Sequence, residues 1–464
     1  MQPNYDVDDT TRHASPESRC RSSAGHASEG FSGRASKRIR FRQRSALAML
    51  VAAGMINYID RAALSIGSPL IRDEFGLSIA DMGLLLSVFL WAYSFTQLPV
   101  GGLVDRFGPR KMLGLGLFVW SVAQAVSALT TGFMSFAATR AVLGIGESPQ
   151  FSSCIRVVRD WYNVRERGLP TGLFAGSSAL GTAIAGPILT FLMLQFGWRW
   201  MFAIMGLLGI FLAIVWYIFY RDVDTAALTE DEVEYLSAGE SREPPHKPSL
   251  AEWLRLMRLS TTWGVVLGFV GTTYLSWLYT AWLPSYLSID RHLSLPKTGI
   301  LVAIPFLCSM GGTVSGGLFT QWLILRKISP LMSVKVTAAG GTLGMSIFTI
   351  FAAEVSSTPV AITCLSIAMF LGGISLTNAW TMIGVVAPRA YVGSLAGMKN
   401  FVGYLGGAMA PTVTGFIVQS TGSFEPALIT AAVIGVSSAF IYFFGVRRTI
   451  DASEITGVSS PSGK

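Results

Sequence analysis

The chain predicts an all-α integral membrane protein, with twelve transmembrane helices arranged as two six-helix bundles. Three observations lead there. Of its 464 residues 51% are hydrophobic and 13% charged, with a mean hydropathy of +0.51, against roughly 25% charged residues in an average soluble domain. The apolar residues come in long blocks near the ~20 residues that a helix needs to cross a bilayer. One long polar stretch, 222–258, divides six such blocks from six.

In order, the blocks fall at about 45–67, 80–104, 112–130, 134–157, 168–194 and 199–220, then 262–287, 298–320, 332–353, 358–386, 391–418 and 426–446. Gly and Pro interrupt the fourth, fifth and eleventh. The parts are therefore a disordered tail 1–44 rich in Ser, Arg, Asp and Gly, a first bundle 45–221, a linker 222–258, a second bundle 259–447 and a tail 448–464. Within the linker, TEDEVEYL reads as a short helix capped by Thr229, and PPHKP as an extended segment. No signal peptide opens the chain.

Loop charge sets the orientation. A basic cluster, Arg34, Lys37, Arg38, Arg40, Arg42 and Arg44, abuts the first block. Arg106, Arg110 and Lys111, then Arg156, Arg159, Arg165 and Arg167, occupy later loops on that side. Arg326, Lys327, Lys335, Arg389, Arg447 and Arg448 follow the same pattern. Opposite loops carry few bases, so both termini are expected in the cytoplasm of a cell whose plasma (inner) membrane holds the protein. The net charge of +8 is thereby explained without nucleic acid. Cys20, Cys154, Cys308 and Cys364 lack metal or redox spacing, and His13, His26, His246 and His292 fall in tails or loops. No metal, cofactor or catalytic cluster is expected, nor an ATP-binding loop, so the chain does not read as an enzyme.

Four charges interrupt the apolar blocks: Asp60 and Arg61 in the first, Arg140 and Glu147 in the fourth. Each costs about 2.5–3.5 kcal/mol at bilayer depth, roughly 10 kcal/mol together. Two acids can offset two bases around a water-filled cavity. Arg140, Gly144 and Glu147 share a helical face, and Gly144 admits a close neighbour. A static Arg–Glu clamp between helices is the competing account. Arg61 presents a planar fork to a carboxylate, or else pairs with Asp60 or Glu147. Tyr93, Gln97 and Asn400 bind hydroxyls or tie helices together, and the ammonium of Lys399 binds an anion or snorkels. Asp105 is placed as a gate residue at the inner end of the second helix, against the next helix N-terminus and Arg110, Arg156 or Arg159. Trp277, Tyr279, Trp282 and Tyr286 read as an interfacial aromatic belt. Tyr274 and Trp380 lie deeper. The two halves echo one another in GGLVDRFGPRKM (101–112) and GGLFTQWLILRKIS (316–329), as in bundles related by an axis along the membrane normal.

Gly101, Asp105, Arg106, Gly108, Arg110 and Lys111, with Arg140, Gly144 and Gly146 and the Gly181, Gly186, Pro187 pattern, resemble signature motifs of the major facilitator superfamily over roughly residues 45–447. NYIDRAALS (57–65), Trp91, Tyr93 and Gln97, GIGESPQFSSCIR (144–156), WLPSYL (282–287) and the run 400–415 are similar to its anion:cation symporter family. The resemblance implies proton-coupled import of an organic carboxylate, such as a sugar acid, by alternating access. Arg61, Tyr93 and Asn400 would contact the anion, Tyr58 and Trp380 line the cavity, and Asp60 and Glu147, with Arg140 beside them, carry the protons. Arg106 and Arg110 join Asp105 in the gate. Two departures bear on the ligand: Ser178 stands near a Gln position of some sugar-acid carriers, and Lys399 is a cation where many relatives are neutral. The implied partners are a small organic anion, protons and the lipid bilayer, around a monomer. A proton-independent anion exchanger, a drug-efflux pump and a transporter-derived membrane sensor are the alternatives.

Overall fold

The computed structural model of the chain describes residues 35–163, 166–223, 226–237 and 249–456. Arg34, Arg165, the PPHKP segment with His246, and the early residues His13, Cys20 and His26 lie outside the described residues, as do 457–464.

Helix α1 (Lys37–Phe75) begins at Ser36, whose side chain accepts from the Ile39 amide, and ends at Gly76. Lys37, Arg38, Arg40, Arg42 and Arg44 thus form its first turns, where the sequence reading had placed tail. Helix propensity and the Ser36 cap extend the helix two turns beyond the apolar block. Helix α2 (Ile79–Phe107) starts on a reciprocal Ser78–Asp81 capping box. The chain then turns sharply at Gly108, φ +80°, a left-handed position that disfavours a Cβ, into α3 (Pro109–Val126).

The fourth span is two helices, α4 (Phe133–Glu147) and α5 (Pro149–Trp161). Pro149 has no N–H to continue the ladder, so the break falls directly after Glu147. The fifth and sixth spans join as α6 (Gly168–Phe219) through a reversal at Gly197, φ +83°. Helix α7 (Glu230–Ser237) carries the expected Thr229 cap, reciprocated by Glu232. Helix α8 (Leu250–Arg258) leads to α9 (Ser260–Ser285), α10 (Leu295–Leu325), α11 (Pro330–Glu354), α12 (Thr358–Val386), α13 (Val392–Thr421), α14 (Glu425–Phe440) and a terminal turn, α15 (Ala452–Thr456). Among the described residues nine helices are individually long and apolar enough to cross a membrane. Counting α6 as two, α4–α5 as one and the more polar α9 makes twelve.

Helices α1–α6 pack among themselves, as do α9–α14. The bundles meet chiefly along α2 with α13 and α6 with α10. We call the face holding the start of α1, helices α7, α8 and α15, and the basic loops the inner face. On the outer half the bundles are locked. A Cβ on Gly83 of α2 would stand 2.6 Å from the Pro411 carbonyl of α13. Ser65 donates to the Ala281 carbonyl, the Ala80 amide to Gln419, and the Thr412 hydroxyl to Ser87. On the inner half, rings bridge the bundles at Tyr93–Tyr404, Phe95–Phe401 and Phe151–Trp380, with centroids 5.1–6.0 Å apart. Gly172 and Gly176 of α6, Gly384 of α12, and Gly393 and Gly397 of α13 face open space there. The molecule is sealed outside and loosely joined inside.

Trp277, Tyr279, Trp282 and Tyr286 do not form an interfacial belt. Tyr279, Trp282 and Tyr286 are buried. Their polar tips reach Thr349, the Pro411 carbonyl and the Ala352 carbonyl inside the protein. They face α11 and α13 inside the second bundle rather than lipid.

Candidate functional site

At mid-depth α1 and α4 bring Arg61 and Glu147 together. Arg61 Nε donates to Glu147 Oε2 at 2.7 Å, with both side chains almost wholly buried. Glu147 closes α4 because Pro149 stops the helix. Its carboxylate therefore sits where the backbone bends, facing α1. Close approach of the next helix is built in: a Cβ on Gly144 would stand 2.5 Å from the Phe89 carbonyl of α2.

Four rings surround the guanidinium. Tyr58, Phe89, Tyr93 and Trp277 have centroids 4.7, 5.1, 5.0 and 5.7 Å from Arg61 Cζ. Tyr404 of α13 packs on Tyr93 and Trp277. Aromatic faces stabilise a cation that water does not reach. Only part of the fork is engaged, since Arg61 Nη1 and Glu147 Oε1 have no hydrogen-bond partner. Asn57, one turn before Arg61, faces the same carboxylate.

Asp60 points the other way, into the core of the first bundle. It is fully buried, and neither of its carboxylate oxygens has a hydrogen-bond partner. Arg140 and Glu147 both act on it electrostatically. The Arg–Glu pair that clamps two helices is Arg61–Glu147, between α1 and α4, and Arg140 does not pair with Glu147. It donates instead to Gln124 of α3 at 2.7 Å and to Ser127, just past the end of α3, at 3.0 Å, and lies over Phe136 and Phe202. Two acids and two bases thus form one buried group. A cavity lined by Arg61, Phe89, Arg140, Trp277, Thr280 and Pro411 touches both arginines.

The second bundle holds hydroxyls where the first holds charges. Thr272, Thr342 and Ser375, on α9, α11 and α12, bond one another at 2.7–3.1 Å. Those helices stand in the order of α1, α3 and α4–α5, which carry Asp60, Gln124 and Arg140.

Other expected residues lie apart from Arg61. Trp380 is 37% exposed, stacks on Phe151, and covers Lys399. Asn400 Oδ1 is buried without a partner. The Ser178 hydroxyl is turned back to the Ala175 carbonyl of its own helix, away from the ring of aromatics. At the inner face Asp105 pairs with Arg156 at 3.2 Å, and Arg156 also holds Asp160. The partner of the α3 N-terminus is Asp222, which accepts from the Arg110 amide, rather than Asp105. Arg110 also donates to the Tyr217 carbonyl, and Arg106 lies over Phe107. All these gate contacts remain within the first bundle.

Sequence reasoning missed Asn57, Phe89, Tyr404 and the α3 stripe Trp120, Ser121, Gln124 and Ser127, and misplaced Trp277. Asn57 and the stripe carried a usable signal: polar groups at helical spacing of three and four, inside membrane spans.

Residues 50–411 match the model of the Major Facilitator Superfamily. The probable L-galactonate transporter of Escherichia coli K12 is 41% identical over 416 residues, covering 90% of this chain and 92% of that one. The D-galactonate transporter of Escherichia coli O6:H1 is 30% identical, covering 87% and 96%. The hexuronate transporter of Bacillus subtilis is 29% identical, covering 89% and 96%. Two solved structures share the fold at low identity. One is a bacterial homolog of the human lysosomal transporter Spinster (TM-score 0.73, 19% identity, 92% of this chain and 100% of that one). The other is a D-xylose-proton symporter (TM-score 0.69, 15%, 88% and 100%). Its twelve apolar spans and this match together make the chain an integral membrane transporter, not an enzyme, that belongs to the Major Facilitator Superfamily.

Proposed function

We propose that the protein imports an organic carboxylate, a sugar acid of the galactonate type, together with protons across the plasma (inner) membrane, both termini being cytoplasmic. The observation that carries this reading is the Arg61–Glu147 pair inside its aromatic ring. A substrate carboxylate that engages the free arm of Arg61 competes with Glu147 for one guanidinium. A Glu147 left without its counter-charge takes up a proton, because an unpaired buried carboxylate is strongly disfavoured. Anion binding and protonation then favour each other. Tyr58, Tyr93 and Trp277 present apolar faces and polar tips to a polyol chain. Asp60, held near Arg140 and Glu147, is the second proton carrier. The relatives named as carriers of galactonate and hexuronate support the substrate class.

Alternating access follows from rocking of the bundles about this centre. Separation of the inner ring contacts opens it inward, and separation of the Gly83–Pro411 contact opens it outward. One chain contains both bundles, so a monomer suffices.

Purified protein in proteoliposomes tests the coupling. Glu147→Gln is expected to abolish accumulation of galactonate driven by a proton gradient while permitting exchange across the membrane. Undiminished accumulation in that variant would exclude Glu147 as a coupling group.

A further inference from the structure

Lys399 is a base that the scheme above does not use. It lies two turns into α13, fully buried. Its Nζ is 3.6 Å from the Trp380 centroid and 4.1 Å from that of Phe269, and donates to the Ala379 carbonyl at 3.4 Å. Among the described residues no carboxylate pairs with it. The acids of residues 259–447 are Asp290, Glu354 and Glu425, all at the outer ends of their spans, whereas Lys399 lies toward the inner face. Deep in the described spans lie three bases, Arg61, Arg140 and Lys399, against two acids, Asp60 and Glu147. The central set has one base more than it has acids. Rings stabilise a buried ammonium less than a counter-ion does.

We infer that Lys399 is a second anion site, which receives the substrate carboxylate between Arg61 and the inner face. This rests on the carboxylate-transport reading. Its position fits a transfer step. Lys399 lies nearer the inner face than Tyr404, whose ring packs on the Tyr93 ring beneath Arg61. The adjacent Asn400 offers a buried, unpartnered Oδ1 to a substrate hydroxyl. Trp380 screens the ammonium and is itself half-exposed, held across the bundle interface by Phe151 alone among the described rings. When the inner contacts part, that screen loses its support. The carboxylate then exchanges one cation for another instead of leaving Arg61 directly for water. The neutral position occupied by Thr272, Thr342 and Ser375 gives this bundle no acid to compete for the ammonium.

The test is galactonate counterflow in proteoliposomes with uniformly oriented protein, with half-saturation measured on each face. Lys399→Met is expected to raise the inner-face value roughly tenfold, as loss of one exposed-to-buried charge contact implies, with the outer-face value within about twofold. Lys399→Arg should restore the inner-face value. Lys399→Gln serves as a second neutral variant if Lys399→Met elutes as aggregate. A folded neutral variant with both faces unchanged, or with both shifted alike, overturns the second site while leaving Arg61-based transport standing. A wild type that shows counterflow with no sugar acid overturns the transport reading and this site with it.

Discussion

Arg61 and Glu147 illustrate how a buried pair can be costly to break and still serve as a working part. Removing one partner leaves an uncompensated charge in the core, an effect of about 3–5 kcal/mol. Arg61→Met should therefore lower thermal stability sharply, and Arg61→Met with Glu147→Gln should regain most of it. Galactonate binding should stay lost in both. Calorimetry alongside a binding titration distinguishes the outcomes, and a double variant that still binds would remove Arg61 from the site. The same pair shows where residue-level reading succeeds and fails. Charges inside spans are conspicuous, and Arg61 and Glu147 were legible as functional. Which acid meets which base was not. The sequence allowed Arg140–Glu147 on one helix face, but Gln124 and Ser127 hold Arg140 because α3 crosses at that level.

At the scale of the element, glycine decides which halves of helices can touch. Gly83 and Gly415 bring α2 and α13 into backbone contact, with their Cα atoms within reach of one another's missing side chains. A leucine at Gly83 cannot occupy that space, so Gly83→Leu should shift the molecule toward the state open on the outer face. A cysteine at Thr280, in the cavity wall, should then react faster with an impermeant maleimide added outside, in a background without the native cysteines. Unchanged labelling would mean that the α2–α13 contact does not control the outer seal. The breaks at Pro149 and Gly197 were visible as residues, and their consequence follows from local chemistry. The role of α9 was not visible. Its Trp and Tyr residues suit a membrane interface by composition, and only the packing of α9 against α11 and α13 turns them inward.

Across the whole molecule, the linker and the first bundle are fastened at the inner face. Arg40 forms two hydrogen bonds of 3.0 Å to Glu166, Tyr235 of α7 donates to the same carboxylate at 2.7 Å, and Ser36 donates to Glu232. The hydrogen bond from Tyr235, followed by Arg40, holds Glu166 below the ordinary value of 4.5 despite partial burial. The Ser36 hydroxyl, then the Thr229 amide and Arg38, hold Glu232 below it as well. A carboxylate depressed on folding contributes stability above its unfolded value, and that contribution is lost as pH falls through the folded one. The fastening is thus intact at neutral pH and loosens as pH falls below the ordinary carboxylate range, with an effect of no more than about 1 kcal/mol per exposed pair. Proteolysis at the linker should accelerate in acid beyond any change in the protease itself. Glu166→Gln should show the faster rate already at pH 7, and equal rates there would argue against the clamp.

Taken by itself, the sequence determined that the chain lies in a membrane, crosses it twelve times in two sets of six, and keeps five ionisable groups deep in its spans. It also determined the family. Those properties follow from block length, composition and local motifs, which depend on neighbours along the chain. Only the tertiary structure decided that Arg61 meets Glu147, that Asp60 turns away into the first bundle, that Trp277 lines the site and that Lys399 is buried behind Trp380. It alone also showed the molecule sealed outside. Helical periodicity tells which residues share a face, but the partner of that face is set by contacts between helices hundreds of residues apart, and no local pattern encodes the choice.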